Sequence, residues 1–221
     1  QRLQPGARNL VVISGATEFD RQWGQIARRQ LGPYEQRYDT KYLEALKHEE
    51  LIERLKSISR DTIVILLTVF ADGAGRFFVP RDMARELASV SAAPVYAPYE
   101  SQLGTGIVGG HMDSFEQVGN EVAELAISIL AGTVASTTPP QLTGASADRV
   151  DWRQLRRWNM SEALLQPGTD VHFRESNLWE RYRWQIVAIG ILILTQAAAL
   201  TWMYIERHRR QALQAALQQR L

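Results

Sequence analysis

The sequence predicts an α/β domain followed by one membrane-spanning helix, and two patterns support this prediction. From residue 9 to about residue 132, short apolar runs alternate with amphipathic ones, which is typical of repeated βα units and a parallel sheet. Nearer the C-terminus, the 21 residues from Gln185 to Ile205 contain no charged side chain. A helix of that length can cross a hydrocarbon core of about 30 Å.

The apolar runs of the α/β part predict its strands. They are Leu10–Ser14, Gln36–Tyr42, Thr62–Phe70, Pro94–Ala97 and Gly106–Gly110. The third strand contains the continuous apolar run IVILLTVF, which is typical of a central strand covered on both faces.

The amphipathic segments between the strands predict helices. They are Glu18–Leu31, His48–Ser57, Pro80–Val90 and Ser114–Ala131. Pro80 suits a first helical turn, because its fixed φ matches the helix and its missing N–H would be unpaired there anyway. Gly132 suits the residue after a helix end, where a left-handed conformation is common.

The composition excludes several functions. The formal net charge is +1, with 25 basic and 24 acidic residues, so we expect no nucleic-acid partner. The chain has no cysteine, which removes disulfides, thiolate metal ligands and cysteine nucleophiles. The four histidines, at positions 48, 111, 172 and 208, are too far apart in sequence for a metal-ligand motif on one helix. We therefore expect no metal and no cofactor.

Candidate ligand-binding residues follow the predicted strands, because open parallel sheets bind ligands outside the carboxyl ends of their strands. These residues are Ser14, Thr17, Thr68, Phe70, Asp72, Tyr99, Glu100, Ser101, His111 and Asp113. Each also has a purely structural interpretation: Thr17 or Ser114 can cap a helix, Asp72-Gly73 can form a turn, and Phe70 can be core. The group at 99–101 is the better supported, since it offers a ring, a carboxylate and a hydroxyl in one loop.

Three motifs look catalytic but lack the required context. Gly104–Gly109 matches GxGxxG, yet it lies on a predicted strand instead of between a strand and a helix. His48-Glu49-Glu50-Leu51 resembles a histidine-kinase phosphoacceptor box without its proline, and it precedes the membrane span. Ser14 lacks the GxSxG elbow of serine hydrolases. The sequence therefore predicts no catalytic site in this segment.

Aromatic and basic residues flank the apolar stretch. Tyr182 and Trp184 stand at one end and Trp202 and Tyr204 at the other, which places rings at both membrane interfaces. The arginine cluster at 207–210 favours a cytoplasmic C-terminus. These features predict the lipid bilayer as a partner and the inner membrane as the location, with the N-terminal part periplasmic.

The residues after the span continue the helical pattern. Leu213, Leu217 and Leu221 are four residues apart, so they share one stripe of a helix. An apolar stripe that continues a transmembrane helix is typical of a dimeric coiled coil, although it can also be a solvated tail. We therefore expect the start of a cytoplasmic signalling helix at 206–221.

Several segments together resemble one family. They are DTIVILLTVFADGAGRFFVP, APVYAPYESQLGTGIVGG, SFEQVGNEVAELAISILAG, VDWRQLRRWNM and FRESNLWERYRW, in this order before the span. The chain resembles the sensor region of bacterial sensor histidine kinases whose periplasmic module is similar to the substrate-binding protein of ABC transporters. That module has the type I periplasmic-binding fold.

The resemblance implies more than the residues alone predict. It implies two Rossmann-like lobes that close on a small-molecule ligand, of which residues 1–132 match the second lobe and the first is missing. It also implies a homodimer, and a kinase part after residue 221 that acts on a response regulator. Any kinase activity would then belong to the parent protein.

The region between the lobe and the span is predicted to be a membrane-proximal link, at 133–183, before a transmembrane helix at 184–205. Trp152, Trp158 and Trp179 are costly to leave in water, so we expect them to pack the link against the lobe as a stiff strut. Two other functions remain open. One is a membrane-tethered solute-binding protein of an ABC transporter, and the other is a membrane-anchored enzyme.

Overall fold

The computed structural model describes residues 2–132, 146–175 and 178–218, and it describes side chains at 2–132, 146–175 and 182–205. The chain divides into two compact units, Gln1–Arg174 and Glu175–Leu221. The first is an α/β lobe and the second is a single long helix.

The lobe is built on a seven-stranded sheet within the described residues, in the order β2-β1-β3-β4-β5-β6-β7. The strands are β1 (Asn9–Ser14), β2 (Asp39–Glu44), β3 (Thr62–Leu66), β4 (Val95–Tyr96), β5 (Gly109–Asp113), β6 (Ser146–Asp151) and β7 (Asp170–His172). All neighbouring strands are parallel except β5 and β6, which are antiparallel. The predicted α/β class with a parallel sheet is confirmed.

Helices connect the parallel strands. They are α1 (Glu18–Leu31), α2 (His48–Ser57), α3 (Pro80–Val90), α4 (Phe115–Leu130) and α5 (Trp152–Arg157) in the lobe, and α6 (Leu178–Gln218) after it. Short 3₁₀ helices lie at Gly32–Tyr34, Glu100–Gln102 and Glu162–Leu164. The first three helices have the bounds that the sequence predicts. α1 and α3 begin at local signals, the Thr17 cap and Pro80, whereas the N-cap residue of α2 makes no side-chain hydrogen bond and the His48 N–H donates to the distant Asp72 carboxylate at 3.0 Å.

Strand bounds differ more from the prediction. β3 ends at Leu66 instead of Phe70, because the backbone of Phe70 bonds to other segments: its N–H donates to the Asp20 carboxylate at 3.2 Å, and its carbonyl accepts from the Phe78 N–H at 2.8 Å. β5 begins at Gly109 instead of Gly106. Gly104 and Gly106 have φ values of +82° and +115°, which interrupts the strand before it starts.

Helices cover both faces of the sheet. On one face, Val11, Ile13 and Val64 are buried with side chains of α2 and α3 such as Leu55 and Leu87. On the other face, Leu10, Val12 and Ala27 of α1 belong to a second buried cluster. The sheet is therefore a central layer, and its carboxyl edge is free to carry loops.

The structure corrects the prediction of a link at 133–183. Residues 146–172 form β6, α5 and β7 of the same sheet, and Val150 and Leu155 are buried with Val108. Strand β6 has the sequence SADRVD. It was not predicted, because its charged residues weaken the apolar alternation by which strands are predicted.

The structure describes the side chains of two of the three tryptophans in the predicted strut. Trp158 packs against the buried cluster of Val150 and Leu155, and the Trp152 Nε1 donates to Glu162 at 2.7 Å. The side chain of Trp179 lies outside the described residues, so the strut stays a prediction.

The second unit is α6, of 41 residues. Within it, Tyr182–Ile205 is long and apolar enough to cross a membrane, with 24 residues and a mean hydropathy of 2.0. The predicted span at 185–205 falls inside this stretch. The helical backbone continues to Gln218, through most of the predicted signalling helix.

Candidate functional site

The carboxyl ends of β1, β3, β4 and β5 lie side by side, because these strands are parallel neighbours in the sheet. Each end is followed by a loop or the first turn of a helix. Three residues separate α1 from the end of β1 and one residue separates α4 from the end of β5, so these helices begin at Glu18 and Phe115. This edge is where open parallel sheets bind their ligands.

Five aromatic side chains form a continuous line along this edge, which we call the aromatic row: Phe70, Phe19, Trp23, Tyr99 and Phe115. Successive ring centroids are 5.7, 6.5, 5.9 and 5.5 Å apart, distances at which aromatic rings attract one another. The first three contacts are edge-to-face, and Tyr99 and Phe115 are stacked at 13°.

The aromatic row is solvent-accessible although its members are apolar. Phe19, Phe70 and Phe115 are 48%, 37% and 60% exposed, and Trp23 and Tyr99 are half-buried. A contiguous exposed apolar surface of this kind marks an interaction site more often than chance. The row therefore has the chemistry of one wall of a binding site for a flat apolar group.

A buried carboxylate holds the row in place. Asp20 has no exposed surface, and its side chain accepts hydrogen bonds from the Thr17 N–H, the Thr17 hydroxyl and the Phe70 N–H at 3.1, 2.7 and 3.2 Å. Thr17 in turn caps α1 by accepting from the Asp20 N–H. This pair fixes the start of α1 against the exit of β3, which sets Phe19 beside Phe70.

Gly15 leaves room for that carboxylate. A Cβ at this position would lie 2.4 Å from the Asp20 Oδ2 and 2.6 Å from the Ala71 carbonyl oxygen, closer than any side chain tolerates. The close approach of the β1 loop to the β3 loop therefore requires glycine here.

Tyr99 is the polar member of the row. It forms a parallel bridge with Asp113 at the end of β5. Burial and the negative charge of Asp113 raise the pKa of Tyr99 to about 12. The phenol therefore stays protonated at neutral pH and can donate a hydrogen bond to a ligand.

Asp72 is not a member of the row, and its carboxylate is held by hydrogen bonds from its own loop and from the start of α2. Its carboxylate accepts from the backbone N–H groups of His48, Ala74 and Arg76, and from the Arg76 guanidinium, at 2.6 to 3.0 Å. Burial alone would raise the pKa of Asp72, but these hydrogen bonds outweigh it and hold the pKa below its usual range. Arg76 also binds Glu49, which lowers the pKa of Glu49 to about 2.

The remaining predicted residues are dispersed. Ser14 and Thr68 are buried, and the Thr68 hydroxyl has no hydrogen-bond partner within the described part of the chain. The Glu100 Oε1 lies 3.9 Å from the Arg149 Nε, and Ser101 is exposed.

His111 belongs to a different surface from the aromatic row. It pairs with Asp148 of β6 at 2.8 Å and lines a half-open cavity of about 630 Å³ with Tyr96 and Val150. The described residues that line this cavity include no member of the row.

The structure thus brings Phe70, Tyr99 and Asp113 to one place and leaves His111 and Asp72 elsewhere. Their roles in binding a ligand stay predictions. Sequence reasoning missed Phe19, Trp23, Phe115 and Asp20. A signal existed for Phe19 and Trp23, since aromatic residues four apart on a helix share one face.

Among the described residues, no group of three or more His, Asp or Glu side chains could hold a metal ion.

Comparison with known proteins supports the fold. No protein-family model matches the sequence, and no curated protein matches it. Solved structures do match. A ligand-free, open substrate-binding protein with adhesive properties from Clostridium difficile has a TM-score of 0.59 and 15% identity, over 78% of this chain and 57% of that one.

Two further structures agree with it. A conserved domain protein from Vibrio cholerae O1 biovar El Tor has a TM-score of 0.56 and 15% identity, over 77% of this chain and 56% of that one. An ABC domain in complex with L-Trp from Streptococcus pneumoniae has a TM-score of 0.56 and 11% identity, over 77% of this chain and 57% of that one. At these identities the similarity shows the fold alone.

The lobe therefore shares the α/β fold of these structures, one of which is a substrate-binding protein. The chain spans less than three fifths of the length of each of these structures. It also carries one helix that is apolar enough to span a membrane.

Proposed function

We propose that this chain is the extracytoplasmic ligand-sensing and transmembrane segment of a two-component sensor histidine kinase. The observation that carries the proposal is the aromatic row, an exposed apolar wall at the carboxyl edge of a substrate-binding-like fold. The long apolar helix that follows the lobe in sequence supplies the membrane segment.

The ligand is a small molecule with a flat ring. Phe19, Trp23 and Tyr99 offer ring edges and faces over which such a group can stack, and the Tyr99 hydroxyl can orient it. The Streptococcus pneumoniae structure of the same fold is in complex with L-Trp, which supports a ring-bearing ligand for this lobe as well.

Sensing requires that the ligand bind two states of the receptor with different affinity. The row forms only one wall, and a second lobe closing over it would complete the site. Ligand binding would then shift an equilibrium between open and closed arrangements, and the closed one would signal.

Transmission to the cytoplasm would run through α6. This helix is continuous from Leu178 to Gln218, so a shift or rotation at one end can reach the other without a break. With a cytoplasmic C-terminus, the helix would lead into a homodimer and a kinase part that phosphorylates a response regulator. The continuity of α6 beyond Ile205 favours this role over a simple anchor.

The direct test uses the complete protein encoded by the gene, reconstituted in lipid nanodiscs with radiolabelled ATP. We expect acid-labile, base-stable phosphate on the protein, as phosphohistidine gives, and a change in its rate when an aromatic amino acid such as L-tryptophan is added. A variant with Phe19→Ala and Tyr99→Ala should keep the basal rate and lose the response.

A membrane-tethered solute-binding protein of an ABC transporter is the second candidate, because the solved structures of the same fold include a substrate-binding protein. Ligand binding without any phosphate incorporation would favour this function and would contradict the kinase proposal.

A further inference from the structure

The face of the sheet that α1 covers also carries a cavity. Tyr96 of β4 is in register with Ile65 of β3, and Ile65 with Val12 of β1, so these three side chains share one face. Val12 and Ile65 pack in the buried cluster that contains Ala27 of α1. The β4–β5 connection has no α-helix, only the 3₁₀ helix Glu100–Gln102. Beyond α1, the half-open cavity of about 630 Å³ therefore lies over β4, β5 and β6.

The sheet gives this cavity an apolar floor. Tyr96 and Val150 line it together with Leu165, and all three belong to the cluster around the buried Leu155. The Tyr96 hydroxyl donates to the Met160 Sδ at 3.7 Å, which holds the ring in the floor. The volume falls within the range of about 300–1,000 Å³ that is usual for small-molecule sites. The cavity can therefore bury an apolar group of moderate size.

The rest of the lining carries more positive than negative charge. Arg2 and Arg37 come from two separate segments of the chain, and both line the cavity with exposed side chains. Among the described residues that line the cavity, the only carboxylate is that of Asp148, which pairs with the His111 Nδ1 at 2.8 Å. A guanidinium binds a carboxylate through two parallel hydrogen bonds. The rim therefore favours an anionic group, whereas the floor favours an apolar one.

We propose that this cavity is a second binding site of the lobe, for a small amphipathic carboxylate. The carboxylate binds at the rim that Arg2 and Arg37 form, and the apolar body lies on Tyr96 and Val150. No member of the aromatic row is among the described lining residues, so the two sites are separate. The inference goes beyond the proposed function and does not depend on it.

Isothermal titration calorimetry of the complete encoded protein in nanodiscs tests the inference with octanoate as the probe. The heat measured with empty nanodiscs is subtracted, because octanoate also enters lipid. We expect saturable binding of octanoate, and binding at least about tenfold weaker for octan-1-ol and octylamine, which have the same chain without the negative charge.

Two arginine variants test the role of the rim. Arg37→Glu should weaken octanoate binding by at least about tenfold, because it reverses a charge beside the bound carboxylate. Arg29→Glu is the matched control, since Arg29 is equally an exposed arginine but does not line the cavity. It changes the net charge by the same amount and should leave the affinity unchanged.

A third variant tests the cavity without changing its charge. Leu164 lines the cavity and is 41% exposed, so the fold tolerates a larger side chain there. Leu164→Trp should fill part of the cavity and weaken octanoate binding by at least about tenfold. Combined Phe19→Ala and Tyr99→Ala should leave it unchanged, because both residues lie in the aromatic row.

Three outcomes would overturn the inference. One is the absence of saturable octanoate binding, or equal binding of octan-1-ol. Another is an equal effect of Arg37→Glu and Arg29→Glu, which would show a general effect of net charge. The third is loss of octanoate binding in the variant of the aromatic row with no loss in Leu164→Trp, which would place the probe on the row.

Discussion

At the scale of single residues, the candidate site depends on one carboxylate whose burial no sequence pattern marks. Asp20 has the capping-box spacing from Thr17 in the first turn of α1, where a carboxylate normally faces water, yet it is fully buried and accepts a hydrogen bond from the Phe70 N–H of another loop. The tertiary contact is visible only once β1 and β3 are paired. Thr17, by contrast, could be predicted as a helix cap, because capping depends on neighbours in sequence.

Replacing Asp20 with alanine should destabilise the lobe and disorder the row. The change leaves the Phe70 and Thr17 N–H groups without their acceptor, and we expect a loss of about 2–4 kcal/mol in the free energy of unfolding. Urea unfolding followed by circular dichroism measures it. Glu18→Ala, two residues earlier on the exposed surface of the same turn, is the control and should change stability by less than about 0.5 kcal/mol. Equal effects of the two changes would contradict the role of Asp20.

Asp72 should make the lobe sensitive to acid. Its pKa is depressed in the folded protein, so the stability it contributes is fully present above the unfolded pKa of about 3.9 and is lost as the pH falls through the folded pKa. We expect Asp72→Asn to be less stable than the wild type at pH 7 and to show a weaker dependence on pH below about 4. Urea unfolding at several pH values tests this. Parallel profiles for the two proteins would contradict it.

At the scale of elements, helices were predicted more accurately than strands. α1 and α3 begin at local signals, whereas β3 is shortened by contacts between distant segments and β5 by the positive φ of Gly104 and Gly106. β6 was not predicted because the charged residues of SADRVD weaken the apolar alternation by which strands are predicted. The aromatic row was not predicted because its rings come from two helices and two loops that meet only in the folded lobe.

Gly109 allows the β5–β6 approach. Its φ is +149°, and a Cβ would lie 2.1 Å from the Arg149 carbonyl oxygen. Gly109→Ala should therefore weaken the attachment of β6, with a loss of at least about 2 kcal/mol in the free energy of unfolding. Gly32→Ala is the matched control, because Gly32 has helical backbone angles and open space around it. A neutral Gly109→Ala would show that the strands can separate at little cost.

The apolar stretch of α6 should insert into membranes through its own hydrophobicity. A charge at its middle, Leu192→Arg, should oppose insertion by about 2.5–3.5 kcal/mol, and Leu192→Phe should have little effect. The fraction of chain that resists alkaline carbonate extraction from membranes measures this. Complete extraction of the unchanged chain would contradict a membrane span.

At the scale of the whole molecule, sequence and structure agree on an α/β lobe followed by a long apolar helix. They differ over the segment between them, which contributes β6 and β7 to the lobe. The physical account of function rests on the carboxyl edge of the sheet, where the exposed aromatic row lies. The row is apolar, so covering it with a ligand is favourable.

The most direct measurement is a calorimetric titration of the complete protein with a panel of small ring compounds, beginning with L-tryptophan. We expect at least one compound to bind the wild type and to bind at least about tenfold more weakly when Phe19→Ala and Tyr99→Ala are combined, because its stacking surface is removed. Tyr34→Ala, an exposed aromatic outside the row, should leave the affinity unchanged. Equal affinity in the double variant, or no binding by any compound, would contradict the aromatic row as a ligand-binding wall.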